Sequence, residues 1–251
     1  MPNQPPLIIE RKGGVLIISL NNPEKRNALN SEMMGAAASA IANVGNYKEL
    51  RSVVIQGTGS SFCSGAEVTS WKAEELQVLL KSLVECPLPI IAYVHGVCLG
   101  GGMGLAGASD FVLAKEGTKF GFPEVRIGMV PAVISPYVAR KLSLGRIREL
   151  FITGEIFDSS EALSMGFLYA VENKGEDIAL NSLISDIEKG GPSAQASIKR
   201  LLDGDILYKK LEERDKELAE FISLIREGSE SQEGIKSFLE KRKPEWCRDD
   251  S

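Results

Sequence analysis

Pro89-Ile90-Ile91-Ala92-Tyr93-Val94-His95-Gly96-Val97-Cys98-Leu99-Gly100-Gly101-Gly102-Met103-Gly104-Leu105 decides how this chain folds. Its first half is a continuous apolar run, the pattern of a strand covered on both faces. Its second half is a glycine-bearing loop that leads into a helix. Consecutive glycines at a helix start leave backbone N–H groups uncovered and let a ligand approach the main chain closely. The same arrangement occurs earlier, where Val53-Val54-Ile55-Gln56-Gly57 runs on to Ser61-Phe62-Cys63-Ser64-Gly65-Ala66-Glu67. Two such loops side by side can aim two N–H donors at one oxygen, the geometry of an oxyanion hole. Small residues also allow a helix to sit close to a strand, and the sequence leaves both uses open.

Working outward, Val15-Leu16-Ile17-Ile18-Ser19-Leu20 is a strand bounded by Gly13-Gly14 and Asn21-Asn22-Pro23. Asn30 is a good N-cap for the alanine-rich helix that follows it. Phe111-Val112-Leu113-Ala114 is a further short strand. Strands alternating with helices at this spacing predict an α/β layered domain. Beyond about residue 130 the character turns helical. Asp158-Ser159-Ser160-Glu161 reads as a capping box. Leu207, Leu211, Leu218, Ile222 and Ile225 form one apolar stripe. A last helix is expected from about Ser231 to Arg242, ending before Pro244.

A length of 251 residues supports a sizeable core. The net charge of −5 removes the overall attraction to phosphate backbones that nucleic-acid binders show. No apolar run approaches the roughly 20 residues of a membrane span. The opening Met1-Pro2-Asn3-Gln4-Pro5-Pro6 lacks a secretion signal's basic and apolar regions. Cys63, Cys86, Cys98 and Cys247 are irregularly spaced beside a single histidine. The expectation is a cytoplasmic protein with reduced thiols, no metal, no membrane and no nucleic acid.

Two familiar motifs fail on context. Gly102-Met103-Gly104-Leu105-Ala106-Gly107 satisfies the dinucleotide pattern G-x-G-x-x-G, but His95 to Gly101 separate it from the strand. The acidic residue about twenty positions on, Glu124, sits in a loop rather than at a strand end. A nucleophilic triad lacks its G-x-S-x-G, and His95 is the only histidine that could act as base.

The loops resemble those of the crotonase (enoyl-CoA hydratase/isomerase) superfamily, over nearly the whole chain. Asn21 to Asn30 is similar to its early CoA-contacting segment, and Phe62 to Val68 to its first oxyanion loop, with Glu67 where Asp is commoner. Leu99-Gly100-Gly101-Gly102 resembles the second loop, Phe120 to Gly128 the segment bearing a catalytic glutamate, and Phe238 to Pro244 the C-terminal tail. The resemblance implies a spiral of ββα units over residues 1–190. It also implies a helical region over 191–251 that builds trimers, often paired into hexamers. The implied chemistry passes an acyl-CoA thioester through an enolate, with CoA as part of the substrate and no separate cofactor. Its oxyanion donors fall on the N–H groups of Ala66 and Gly101, and its acid–base group on Glu124. Its CoA contacts fall on Lys25, Arg26, Ala28, Ser64, Glu67 and Gly100, with Phe238 and Lys241 supplied by a neighbouring subunit.

One departure matters. Hydratases of this family carry a second glutamate two residues after the third glycine, where this chain has Gly104. Three readings follow: a hydratase run by Glu124, an isomerase needing a single base, or a binding protein without catalysis. A finer resemblance, over Phe120 to Val138, is to bacterial methylglutaconyl-CoA hydratases of leucine breakdown, which also tend to have glycine there. It implies a branched substrate with a distal carboxylate, in contact with the space that Gly104 leaves.

Overall fold

The computed structural model describes residues 5–67, 72–173, 175–204 and 211–247. The chain divides into two compact units, one up to Ser182 and one from Leu183. Sequence reading puts the division later, after residue 190.

The first unit is built on a six-stranded sheet in the order β1-β2-β3-β4-β6-β9. Its strands are β1 (Leu7–Lys12), β2 (Val15–Leu20), β3 (Ser52–Gly57), β4 (Ile90–Val94), β6 (Phe111–Lys115) and β9 (Ala170–Glu172). Only the β1–β2 pair is antiparallel. Every residue of β4 is buried, as its unbroken apolar run requires. A second sheet of three short strands has the order β5 (Val97–Leu99), β7 (Lys119–Gly121), β8 (Ile156–Asp158). The sequence reading misses these strands, because three residues are too few for a period to show.

Helices α1 (Ser31–Ala42), α2 (Ala73–Glu85) and α3 (Gly101–Ala108) follow strands, and α4 (Ser135–Val138), α5 (Leu144–Thr153) and α6 (Ser159–Ser164) come later. Asn30 caps α1 by accepting from the Met33 N–H at 2.9 Å. Asp158 and Glu161 form the expected capping box of α6. In α2 the apolar residues Leu76, Leu79, Leu80 and Leu83 lie on one buried stripe.

Helix α7 (Ile178–Lys189) spans the boundary, and the second unit continues with α8 (Pro192–Asp203), α9 (Leu211–Glu227) and α10 (Ser229–Glu240). Of the expected apolar stripe, Leu207 lies outside the described residues, and Ile222 is 60% exposed.

Strands β3 and β4 are parallel neighbours, so the two glycine loops leave the same edge of the sheet. The pairing then continues past the strand ends. The Phe62 N–H donates to His95 O at 2.8 Å, Cys63 to Val97 O at 3.1 Å, and Leu99 to Cys63 O at 3.0 Å. His95 supports this turn through Nε2, 3.0 Å from Gly59 O.

Asn27 ties a third segment to the pair. It is fully buried, with φ of 55°, beside Arg26 at φ of 50°. Two successive non-glycine residues in the left-handed region are held only where the surroundings fix them. The Asn27 side chain donates to Thr58 O at 2.9 Å and Ser61 O at 2.7 Å, and accepts from the Asn22 N–H at 2.8 Å. Replacing Asn27 by Ala strands the buried Ser61 carbonyl, at roughly 1–3 kcal/mol when unpaired, and removes the partner of the half-buried Thr58 carbonyl and Asn22 N–H, each costing less. We expect Asn27→Ala to lower the unfolding free energy by about 2–4 kcal/mol, read as a lower urea midpoint at constant slope.

Candidate active site

The left-handed turn at Arg26 and Asn27 directs two carbonyls at the first glycine loop. Arg26 O accepts from the Ser64 N–H at 3.0 Å, and Lys25 O from the Ser64 hydroxyl at 3.2 Å. Leu29 then pairs with Ala66 as an isolated parallel bridge, with Leu29 N–H donating to Gly65 O at 2.8 Å and Glu67 N–H to Leu29 O at 2.8 Å. Those bonds turn the Ala66 N–H to the opposite side. Gly65 has φ of 120°, so glycine is needed there.

The second loop is closed by the Gly100 N–H donating to Gly121 O at 3.1 Å, with Gly100 at φ of 48°. Gly101 opens α3, where an N–H has no partner within the helix. A Cβ built on Gly101 would lie 3.3 Å from the Ala66 nitrogen, and one on Gly65 would lie 4.0 Å from the Gly101 nitrogen. The two amides are neighbours, and neither donates to a protein acceptor among the described residues.

Glu124 completes the cluster. Phe122, fully buried with its ring centroid 4.6 Å from that of Phe151, anchors a 3-10 turn over Pro123–Ile127. Gly128 at φ of 72° ends the turn, and the Met129 N–H returns to Glu124 O at 2.9 Å. Glu124 Oε1 lies 3.1 Å from where a Gly100 Cβ would be, and Oε2 is buried without a hydrogen-bond partner. Desolvation raises its pKa above the ordinary carboxylate value.

Ser64, Gly65, Ala66, Gly100, Gly101 and Glu124 therefore line one cavity of about 500 Å³. Among the expected CoA contacts, Lys25 and Ala28 lie on the segment bonded to Ser64, with the Ala28 N–H donating to Lys25 O at 3.1 Å, and Lys25 pairs with Glu67 of the Ser64 loop. Phe238 and Lys241 belong to the second unit. Phe238 is exposed near the end of α10, and Lys241 terminates that helix at φ of 55°.

Gly104 is a correction. The sequence reading puts it in contact with substrate, through space left by a missing side chain. The structure buries Gly104 and leaves it out of the lining, because Ile134 occupies that space. A Cβ on Gly104 would sit 2.5 Å from Ile134 Cγ2 and 3.3 Å from Leu80 Cδ1. Gly102 and Gly107 are equally close-packed, at 2.8 Å from Cys63 O and 3.0 Å from the Tyr137 carbonyl. The G-x-G-x-x-G glycines are thus helix-packing contacts, not a phosphate loop. Cys63 is buried beside Cys98, and burial pushes its thiol up to about 12, which makes it inert at neutral pH.

Sequence reasoning missed Ile134, for which the glycine at 104 is the one available hint. It also missed Asn27, an ordinary loop residue until its burial is known.

The model of the enoyl-CoA hydratase/isomerase family matches residues 10–249. A mevalonyl-coenzyme A hydratase of Beauveria bassiana is 31% identical, over 92% of this chain and 91% of that one. A cyclohexa-1,5-dienecarbonyl-CoA hydratase of Thauera aromatica is 27% identical, over 95% of each. Among solved structures, Pseudomonas aeruginosa AtuE superposes with a TM-score of 0.91 at 31% identity, covering 97% of this chain and all of that one (100%). An enoyl-CoA hydratase from Shewanella pealeana gives 0.91 at 29% identity, over 96% of each chain.

Two outcomes follow from this geometry. The folded Glu124 carboxyl keeps its proton to a higher pH than in the unfolded chain, so native stability falls as pH rises through that interval. Glu124→Gln should melt above the wild type near neutral pH and level with it below about pH 3, where the carboxyl is protonated in both the folded and the unfolded chain. Gly104→Ala should cost about 1–3 kcal/mol by overpacking. Adding Ile134→Ala should make that glycine change cheaper, a coupling measurable in a double-mutant cycle of denaturation midpoints.

Proposed function

Since the chain belongs to the enoyl-CoA hydratase/isomerase family, we propose that it hydrates a 2-enoyl-CoA reversibly, with Glu124 as its acid–base group. One observation carries the reading: two neighbouring free amides sit beside a desolvated carboxylate with an unpartnered oxygen. The amides of Ala66 and Gly101 donate to the thioester oxygen and stabilise the charge that develops on it. Losing one such donor typically costs about 10²–10³ in rate.

In the proposed step, Glu124 takes a proton from water as the oxygen bonds to the β-carbon. The double-bond electrons move onto the thioester oxygen as an enolate. Glu124 then gives its proton to the α-carbon, and the thioester re-forms. The product has gained one water, with no net oxidation, so the reaction calls on no metal or redox cofactor. A carboxylate that must release and retake a proton near neutrality benefits from a raised pKa. Because Glu124 has to be ionised to accept that proton, turnover should fall as pH drops through its folded value.

The same proposal holds the nucleotide end of CoA on Lys25, Arg26, Ala28, Ser64 and Glu67, closed by Phe238 and Lys241 of a neighbouring subunit in a trimer or hexamer. It places the enzyme in the cytoplasm, and no described helix is long and apolar enough to cross a membrane. A second reading draws on the lining itself, in which Glu124 is the only carboxylate among the described residues. One base suffices to move a double bond from the β,γ to the α,β position, which makes the chain an isomerase.

Following the thioester-conjugated absorbance with crotonyl-CoA and with a 3-enoyl-CoA separates the two. We expect crotonyl-CoA to be hydrated, and Glu124→Gln to bind acyl-CoA while losing at least about 10²-fold in turnover. Loss of less than threefold would remove Glu124 from the mechanism. Conversion of the 3-enoyl-CoA without hydration of crotonyl-CoA would favour the isomerase.

A further inference from the structure

We propose that the cavity takes an uncharged, apolar acyl chain, and that Ile134, seated on Gly104, is the stop against which that chain ends. The inference rests on the acyl-thioester reading above and concerns which acyl groups fit. Beyond the oxyanion loops, the wall is made by Leu76 on α2 and by Met129, Val130, Val133 and Ile134. Glu124 is the only charged lining residue among the described ones. A substrate with a distal carboxylate would bring a second negative charge into the space of Glu124, and no described lining residue is a cation that could pair it. Desolvation and like-charge repulsion both oppose that.

Exposure along the wall gives the cavity a direction. Val130 is 73% exposed and Ile127 62%, whereas Ile134 is 3% exposed. The open rim and the closed end are thereby marked, and Ile134 stands at the closed end. Its position depends on Gly104, because a side chain there would meet Ile134 Cγ2 at 2.5 Å and drive it into the cavity. Fully buried Leu80 packs at the same glycine, its Cδ1 3.3 Å from where a Gly104 Cβ would lie, so the surroundings of Ile134 on that side are apolar and dry and shortening Ile134 lengthens the cavity. Gly104 acts here as a positioning residue, and Ile134 as the one that selects.

The test uses unreactive saturated thioesters, so that selection is read without chemistry. Pentanoyl-CoA, glutaryl-CoA and decanoyl-CoA are titrated calorimetrically into wild type, Ile134→Ala and Ile134→Val. Wild type should bind glutaryl-CoA at least about tenfold more weakly than pentanoyl-CoA, which has the same chain length without the carboxylate. Ile134→Ala should raise the decanoyl-to-pentanoyl affinity ratio by about tenfold or more, and Ile134→Val should raise it by less. Ile134→Val keeps most of the packing and carries the test if the alanine variant does not fold. Glutaryl-CoA bound as tightly as pentanoyl-CoA would overturn the apolar assignment. A ratio unchanged in the folded variants would remove Ile134 as the stop. Binding ratios that move as expected, without turnover of any 2-enoyl-CoA, would support this inference while sinking the hydratase reading. Failure to bind every acyl-CoA would overturn both.

Discussion

The site depends on the short ladder in which Phe62, Cys63 and Leu99 bond across from the first glycine loop to the second. It exists because β3 and β4 are parallel neighbours whose pairing is carried past their ends. Everything else is tuned to that close approach. Gly102 must lack a side chain because Cys63 O lies 2.8 Å from where its Cβ would be. Asn27 and the left-handed turn at Arg26 hold the first loop from the other side, at a local cost of order 1–3 kcal/mol per strained residue. That cost is offset by three well-made hydrogen bonds to the buried Asn27 side chain. The result is two amides fixed in place before any ligand arrives, which is the condition for electrostatic preorganisation.

Glu124 shows the opposite balance. Burying a carboxylate oxygen without a partner opposes folding, and no cation among the described residues offsets this. The turn that carries it is nonetheless held firmly, by buried Phe122 behind and by the left-handed Gly128 ahead. A rigid support under an energetically unfavourable group is how a functional site is expected to look.

The helix α3 serves two purposes with one run of glycines. Gly100 and Gly101 keep the cavity side open, while Gly102, Gly104 and Gly107 let Cys63, Ile134 and Tyr137 come close on packed faces. The sequence presents these as one motif, and both readings of its small residues hold, at different positions. Which glycine does which is invisible in one dimension, because the packing partners come from segments far apart in the chain.

By itself the sequence determined the long apolar strands β2, β3, β4 and β6, the Asn30 cap, the capping box at Asp158, and the two loops with Glu124 as the candidate cluster. These are local signals, set by hydrophobic period and by side chains that bond to nearby backbone. Only the tertiary structure decided the three-residue strands β5, β7 and β8, whose conformation comes from pairing rather than from any pattern of their own. It also decided that Gly104 faces Ile134 and not the cavity. A glycine says that a side chain is missing. What fills the space is decided by packing against residues thirty positions away and more, and protein interiors leave few such spaces empty.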